Sequence, residues 1–122
     1  MGEQVISLAA KGGIEEIGGK ARNLMDLMAA GFPVPEGWVV STSAYEQFLE
    51  RNALRQRISD ALRDLDYQDA VKVVRCAESI RGWMMAGEMD PHLAERLLKD
   101  TASFGPAGLW AVRSSAIAED LF

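Results

Sequence analysis

The chain has 122 residues, 48% of them hydrophobic and 25% charged. That is an ordinary globular composition, long enough for one domain with a real core, and two full domains are not expected. Thirteen Lys+Arg against eighteen Asp+Glu leave a net charge of −5, so no basic field favours nucleic acid or anionic lipid. The single cysteine, Cys76, excludes an internal disulfide and fits a reducing compartment. The N-terminus shows no basic region followed by an apolar stretch, and no apolar run reaches roughly eighteen residues, so a soluble, cytoplasmic protein is expected, with no membrane partner.

Taken in chain order, Val5 to Ala9 is a short apolar run between polar Glu3-Gln4 and the Lys11-Gly12-Gly13 turn, and it predicts a strand. After Gly18-Gly19, the spacing of Leu24, Leu27 and Met28 predicts a helix from Lys20 to Ala30, stopped by Gly31 and Pro33. Gly37 to Thr42 follows a Pro-x-Pro turn and predicts a second strand. Ser43 to Glu46 has the form of a capping box for a helix carrying Tyr45, Phe48 and Leu49.

Beyond a break near Asn52, Leu54, Ile58, Ala61, Leu62 and Leu65 mark a third helix. Val73, Ala77, Ile80 and Met84 mark a fourth, ending at Gly87. Asp90-Pro91 is an N-cap followed by proline at the first helical position, and Ala94, Leu97 and Leu98 supply the apolar face of a fifth. Phe104 to Gly108 is a turn, and the continuous run Leu109 to Val112 predicts a strand buried on both faces. The reading is α+β, with about five helices and about three strands.

Two places hold residues suited to chemistry. Gly18-Gly19-Lys20 opens a helix, where glycines let backbone N–H groups approach an anion while the helix dipole and the lysine favour phosphate. It lacks the spacing of a Walker A loop and of the Rossmann fingerprint, and by itself it also fits a plain helix entry with a surface lysine. Arg113-Ser114-Ser115 stands at the end of the last apolar run. An arginine there needs an anion or a carboxylate, and its guanidinium fork suits phosphate oxygens, with the two hydroxyls as added donors. A salt bridge to Glu119 or Asp120 is the alternative.

The remaining candidates read as structure. His92, the single histidine, falls in the first turn of the fifth helix at the surface, and with one histidine and one cysteine a transition-metal site is not expected. Trp38, Trp83 and Trp110 read as core, the acidic stretch Asp60, Asp64, Asp66 and Asp69 as a solvated face, and Cys76 as a small buried filler.

Four segments together resemble a known family. Gly18-Gly-Lys-Ala-Arg-Asn-Leu24, Ala30-Gly-Phe-Pro-Val-Pro-Glu-Gly37, Ser43-Ala-Tyr45 and Val112-Arg-Ser-Ser-Ala-Ile-Ala-Glu-Asp-Leu121 are similar, in order, to the front of the nucleotide-binding domain shared by phosphoenolpyruvate synthase, pyruvate phosphate dikinase and rifampin phosphotransferase. The form of the arginine motif resembles the synthase and the rifampin enzyme more than the dikinase.

The resemblance implies an ATP-grasp fold, of which residues 1–122 would be a single partial domain at the N-terminal end. It implies a parent phosphotransferase that splits Mg-ATP and passes a phosphoryl group to a histidine on a separate swivelling domain. It further implies that Lys20 and Arg113 contact ATP phosphates, with Gly18, Gly19, Ser114 and Ser115 beside the nucleotide and Glu119 and Asp120 shaping the site. No catalytic residue and no metal ligand is assigned within the chain, because the acidic magnesium ligands would lie in the rest of the grasp, and phosphoryl transfer depends on that charge neutralisation. Arg22 and Ile117 depart from the family pattern inside the two motifs.

The expected partners are ATP and the remaining domains of the parent protein, and an isolated chain exposing the docking face for those domains is expected to self-associate. The alternative is a standalone module that kept the fold without catalysis and acts as a nucleotide-responsive or interacting protein.

Overall fold

The computed structural model describes residues 4–10, 17–105 and 108–114. The elements run β1 (Val5–Ser7), α1 (Gly19–Ala29), β2 (Trp38–Val40), α2 (Thr42–Arg51), α3 (Leu54–Arg63), α4 (Ala70–Met85) and α5 (Pro91–Thr101), closed by a 3-10 turn at Ala102–Phe104. The chain is α+β. It divides into two compact units, one of Met1–Tyr45 with Pro91–Phe122 and one of Glu46–Asp90.

In the first unit β1 and β2 pair antiparallel, with Val5 opposite Val40, Ile6 opposite Val39 and Ser7 opposite Trp38. The ladder is extended at its ends by Leu8 N–H donating to the Gly37 carbonyl at 2.9 Å and Ser41 N–H donating to the Gln4 carbonyl at 2.9 Å. Strand side chains alternate between faces, and here both faces are covered. Ile6 packs with Leu8, Ile17, Ala21 and Met25 against α1, whereas Val5 packs with Ala44 of α2 and Leu93 of α5. Burial on both sides is why β1 is apolar at successive positions rather than alternately.

The face of α1 differs from the sequence expectation. Ala21 and Met25 are the buried positions and Met28 packs beside them, while Leu24 and Leu27 are 36% and 42% exposed. The 3.6-residue period admits two overlapping stripes in this helix. The buried one pairs the small Ala21 with Met25, one turn apart. In α5, Leu97 packs against the cluster as expected, joined by the buried Leu93 one turn before it, while Leu98 is 73% exposed.

Helix α2 begins two residues before the expected box. Ser41 rather than Ser43 caps it, its buried Oγ accepting from Ala44 N–H at 3.3 Å.

A larger correction concerns Leu109 to Val112. The segment is not a strand. Leu109 and Val112 are 101% and 94% exposed, and among the described residues no strand lies beside it. An apolar run becomes a doubly buried strand only where it finds partners for its backbone groups and cover for both faces. The sheet described therefore has two strands, not three.

The second unit is helical. Ala53, with φ of 52°, turns the chain from α2 into α3 in the left-handed region, which marks the break expected near Asn52. Leu49 and Leu54 are its buried residues. Arg57 lies over the Trp83 ring at 4.0 Å, and the half-buried Cys76 Sγ donates to the Ala61 carbonyl at 3.8 Å, two contacts that join α3 to α4. Asp69, in the turn of the acidic stretch, also caps a helix: its carboxylate accepts from Val71 N–H and Lys72 N–H at 3.1 and 3.2 Å at the start of α4.

Asn52 ties the end of α2 to the segment after α4. Its Nδ2 donates to the carbonyls of Phe48 and Glu88 at 2.9 and 3.0 Å, and its Oδ1 accepts from Glu88 N–H at 2.7 Å. Gly87 closes against this clasp so tightly that an added Cβ would lie 2.6 Å from Phe48 Cζ and 3.1 Å from Asn52 Cγ. Gly87→Ala is expected to destabilise the chain by about 1–3 kcal/mol, the usual range for overpacking. Urea unfolding measures it, and an unchanged midpoint would contradict the clasp.

Candidate functional site

Gly18 is the N-cap of α1, with φ −77° and ψ 173°, and no side chain caps this end. Gly18 is buried and Gly19 half-buried, while Lys20 is exposed on the first turn. That turn holds no acidic residue and carries Lys20, with Arg22 immediately after it. Carboxylates are the side chains a helix N-terminus favours, each by roughly 0.3–1 kcal/mol. Basic residues stand there instead, and together with the backbone N–H groups of a helix start they are of the chemical type that suits an anion.

The second motif meets the first in space. Lys20 Nζ donates to the main-chain carbonyl of Ser114 at 3.4 Å, across 94 residues of sequence. The structure thus places the ammonium of Lys20 beside the residue that follows Arg113. Arg113 and Ser114 are both exposed. What sequence reasoning missed is the part of Ser114 that is engaged: a backbone oxygen, which no side-chain pattern reveals, rather than the hydroxyl. Ser115, Ile117, Glu119 and Asp120 lie outside the described residues.

The approach to Arg113 is held by a cluster of rings that the sequence did not single out. Trp38 of β2, Phe104 of the 3-10 turn and Trp110 meet pairwise, with centroids 5.7 Å apart for Trp38–Phe104, 6.2 Å for Trp38–Trp110 and 4.9 Å for Phe104–Trp110. Two of the pairs are edge-to-face, the arrangement the ring quadrupoles favour. Trp110 is 46% exposed, so it is not the core residue the sequence suggested. The signal available was aromatic residues on both sides of the Phe104 to Gly108 turn.

The donor set sorts the possible ligands. Two exposed cations and an electropositive helix end fit a polyanion such as a triphosphate. They do not fit a divalent cation, and among the described residues no three His, Cys, Asp or Glu side chains gather where a metal ion would sit. His92 lies at the surface in the first turn of α5, away from these motifs in sequence. Among the described residues no helix is long and apolar enough to cross a membrane.

A comparison with protein families decides the family. The model described as pyruvate phosphate dikinase, AMP/ATP-binding domain, matches residues 14–122. The chain belongs to that family. Its curated relatives agree. A phosphoenolpyruvate synthase from Pseudomonas aeruginosa is 35% identical over 130 residues, spanning 99% of this chain and 16% of the relative. A probable phosphoenolpyruvate synthase from Staphylothermus marinus is 36% identical over 112 residues, spanning 86% of this chain and 13% of the relative. A rifampicin phosphotransferase from Bacillus cereus is 36% identical over 106 residues, spanning 86% of this chain and 12% of the relative. This AMP/ATP-binding domain sequence thus spans no more than about a sixth of the length of these relatives.

Proposed function

We propose that the chain is the N-terminal segment of the ATP-grasp nucleotide-binding domain of a phosphoenolpyruvate synthase-like phosphotransferase. On this reading residues 1–122 are one partial domain, completed by further sequence that supplies the adenine pocket and the magnesium ligands. The parent protein, in the cytoplasm, splits Mg-ATP and passes a phosphoryl group to a histidine on another domain. The carrying observation is the meeting of the two motifs, Lys20 Nζ on the Ser114 carbonyl at the electropositive start of α1.

In that role Lys20 and Arg113 bind the phosphates of ATP, one as a point charge and the other as a two-pronged donor. Gly18 and Gly19 let the first-turn backbone come close, and Ser114 and Ser115 line the same place. The magnesium ion, when bound with ATP, neutralises charge on the phosphoryl oxygens; no described residue is assigned to it, and no step is derived through it. The nearly full exposure of Leu109 and Val112 supports the expectation that the isolated chain self-associates through the face that other parts of the parent protein would cover.

The test is to incubate the full-length protein with Mg-ATP and assay for an acid-labile, base-stable phosphoryl group. Phosphohistidine should accumulate without any acceptor substrate present. Its absence, with ATP bound, would replace this reading by that of a non-catalytic nucleotide-responsive module.

A further inference from the structure

The segment from Leu109 to Ser114 has no secondary structure and two fully or nearly fully exposed aliphatic side chains, yet it carries an arginine to which the proposed function gives a positional task. Its aliphatic residues do not hold it. Among the described residues two contacts do: the Trp110 ring against Trp38 and Phe104 at one end, and the Ser114 carbonyl against Lys20 at the other. The pinned points are four residues apart, a reach of at most about 13–14 Å for extended chain. Arg113 lies between them, next to one pin and three residues from the other.

A segment fixed at both ends loses most of its conformational freedom before any ligand arrives, and a preorganised donor binds more tightly than one ordered on binding. The two pins also join different parts of the first unit, because Trp38 belongs to β2 and Lys20 to α1. The ring cluster therefore sets where the arginine motif stands relative to the helix end.

We propose that Trp110 is a positioning residue for Arg113: by its edge-to-face contact with Phe104 and its tilted contact with Trp38 it anchors the arginine segment beside the start of α1. It acts through Arg113 and does not touch the nucleotide. The inference rests on reading Arg113 as a phosphate ligand, and its test separates the two.

The first arm needs no nucleotide. Trypsin cuts after Arg113, and cleavage requires the segment to leave its pins. In the full chain, Trp110→Leu should raise the rate of cleavage at Arg113–Ser114 by about tenfold, the change expected when one anchor is lost from a locally opening segment. Cleavage at Arg63 and Lys72 should stay unchanged, and Trp110→Phe, which keeps an aromatic ring, should restore slow cleavage. Equal rates in Trp110→Leu and the unmodified chain would overturn the proposal, as would acceleration at every site alike, which would make Trp110 a general stabiliser. Should Trp110→Leu fail to fold, Phe104→Leu removes the partner ring and is read in the same way.

The second arm measures ATP affinity in the full-length protein by a double-mutant cycle. Arg113→Ala and Trp110→Leu should each weaken ATP, and the double variant should be no weaker than Arg113→Ala alone. Independent, multiplying losses, or no loss from Trp110→Leu, would overturn the positioning role. No loss from Arg113→Ala would instead overturn the phosphate-ligand reading, while the trypsin arm still decides whether Trp110 anchors the segment.

Discussion

Replacing Lys20 or Arg113 by alanine in the full-length protein is expected to slow ATP-dependent phosphorylation by about 10- to 100-fold each, since a charge-assisted hydrogen bond contributes roughly 1.5–3 kcal/mol. Both side chains are exposed, so unfolding temperatures should barely move, surface substitutions of this kind usually falling within about 0.5 kcal/mol. The two positions should also respond differently to conservative change. Arg113→Lys keeps the charge but loses the planar two-pronged geometry and should recover only part of the activity, whereas Lys20→Arg adds bulk beside the Ser114 carbonyl that Lys20 reaches at 3.4 Å. Initial rates against ATP concentration measure all four variants. Full activity in both alanine variants would remove the two residues from the phosphate site.

The largest stability loss is expected at Ile6, 3% exposed in the centre of the cluster between the sheet and α1. Ile6→Ala should cost about 2–5 kcal/mol through lost transfer energy and the cavity left behind. For a chain of this length that lowers the unfolding temperature by roughly 10–20 °C. Leu24→Ala is the informative control. It removes a side chain of similar size from the stripe that the sequence favoured in α1, yet Leu24 is 36% exposed, so its loss should stay near or below about 1 kcal/mol. Thermal unfolding of the two variants decides between the stripes. Equal destabilisation would mean that α1 packs on the Leu24 face instead.

That contrast shows what a linear sequence conveys. The breaks of this chain are written in local chemistry: Gly31 and Pro33 after α1 and Asp90-Pro91 before α5 each sit where the backbone favours those residue types, whereas Ala53 between α2 and α3 takes a left-handed φ of 52° that its own side chain disfavours. Which side of a helix is buried is not a local property. In α1 the choice fell to Ala21 and Met25 because they face Ile6 and Leu8, residues that reach them only through the fold.

The same holds for the Leu109 to Val112 run, whose apolarity predicts burial but names no partner. Among the described residues nothing pairs with it, and its one anchored side chain, Trp110, is held by rings far away in sequence or across a turn. At the candidate site, the residue types of both motifs were legible because phosphate chemistry calls for cations and glycines at a helix start. The particular contact between them was not, because it runs through a main-chain carbonyl.

The central claim is that Lys20, at the start of α1 and against the arginine segment, binds the phosphates of ATP. Calorimetric titration of the full-length protein with Mg-ATP, unmodified and as Lys20→Ala, tests it most directly. The account predicts saturable binding that weakens by about tenfold or more in the variant, with the fold intact by circular dichroism. Equal affinity in the two proteins would contradict it.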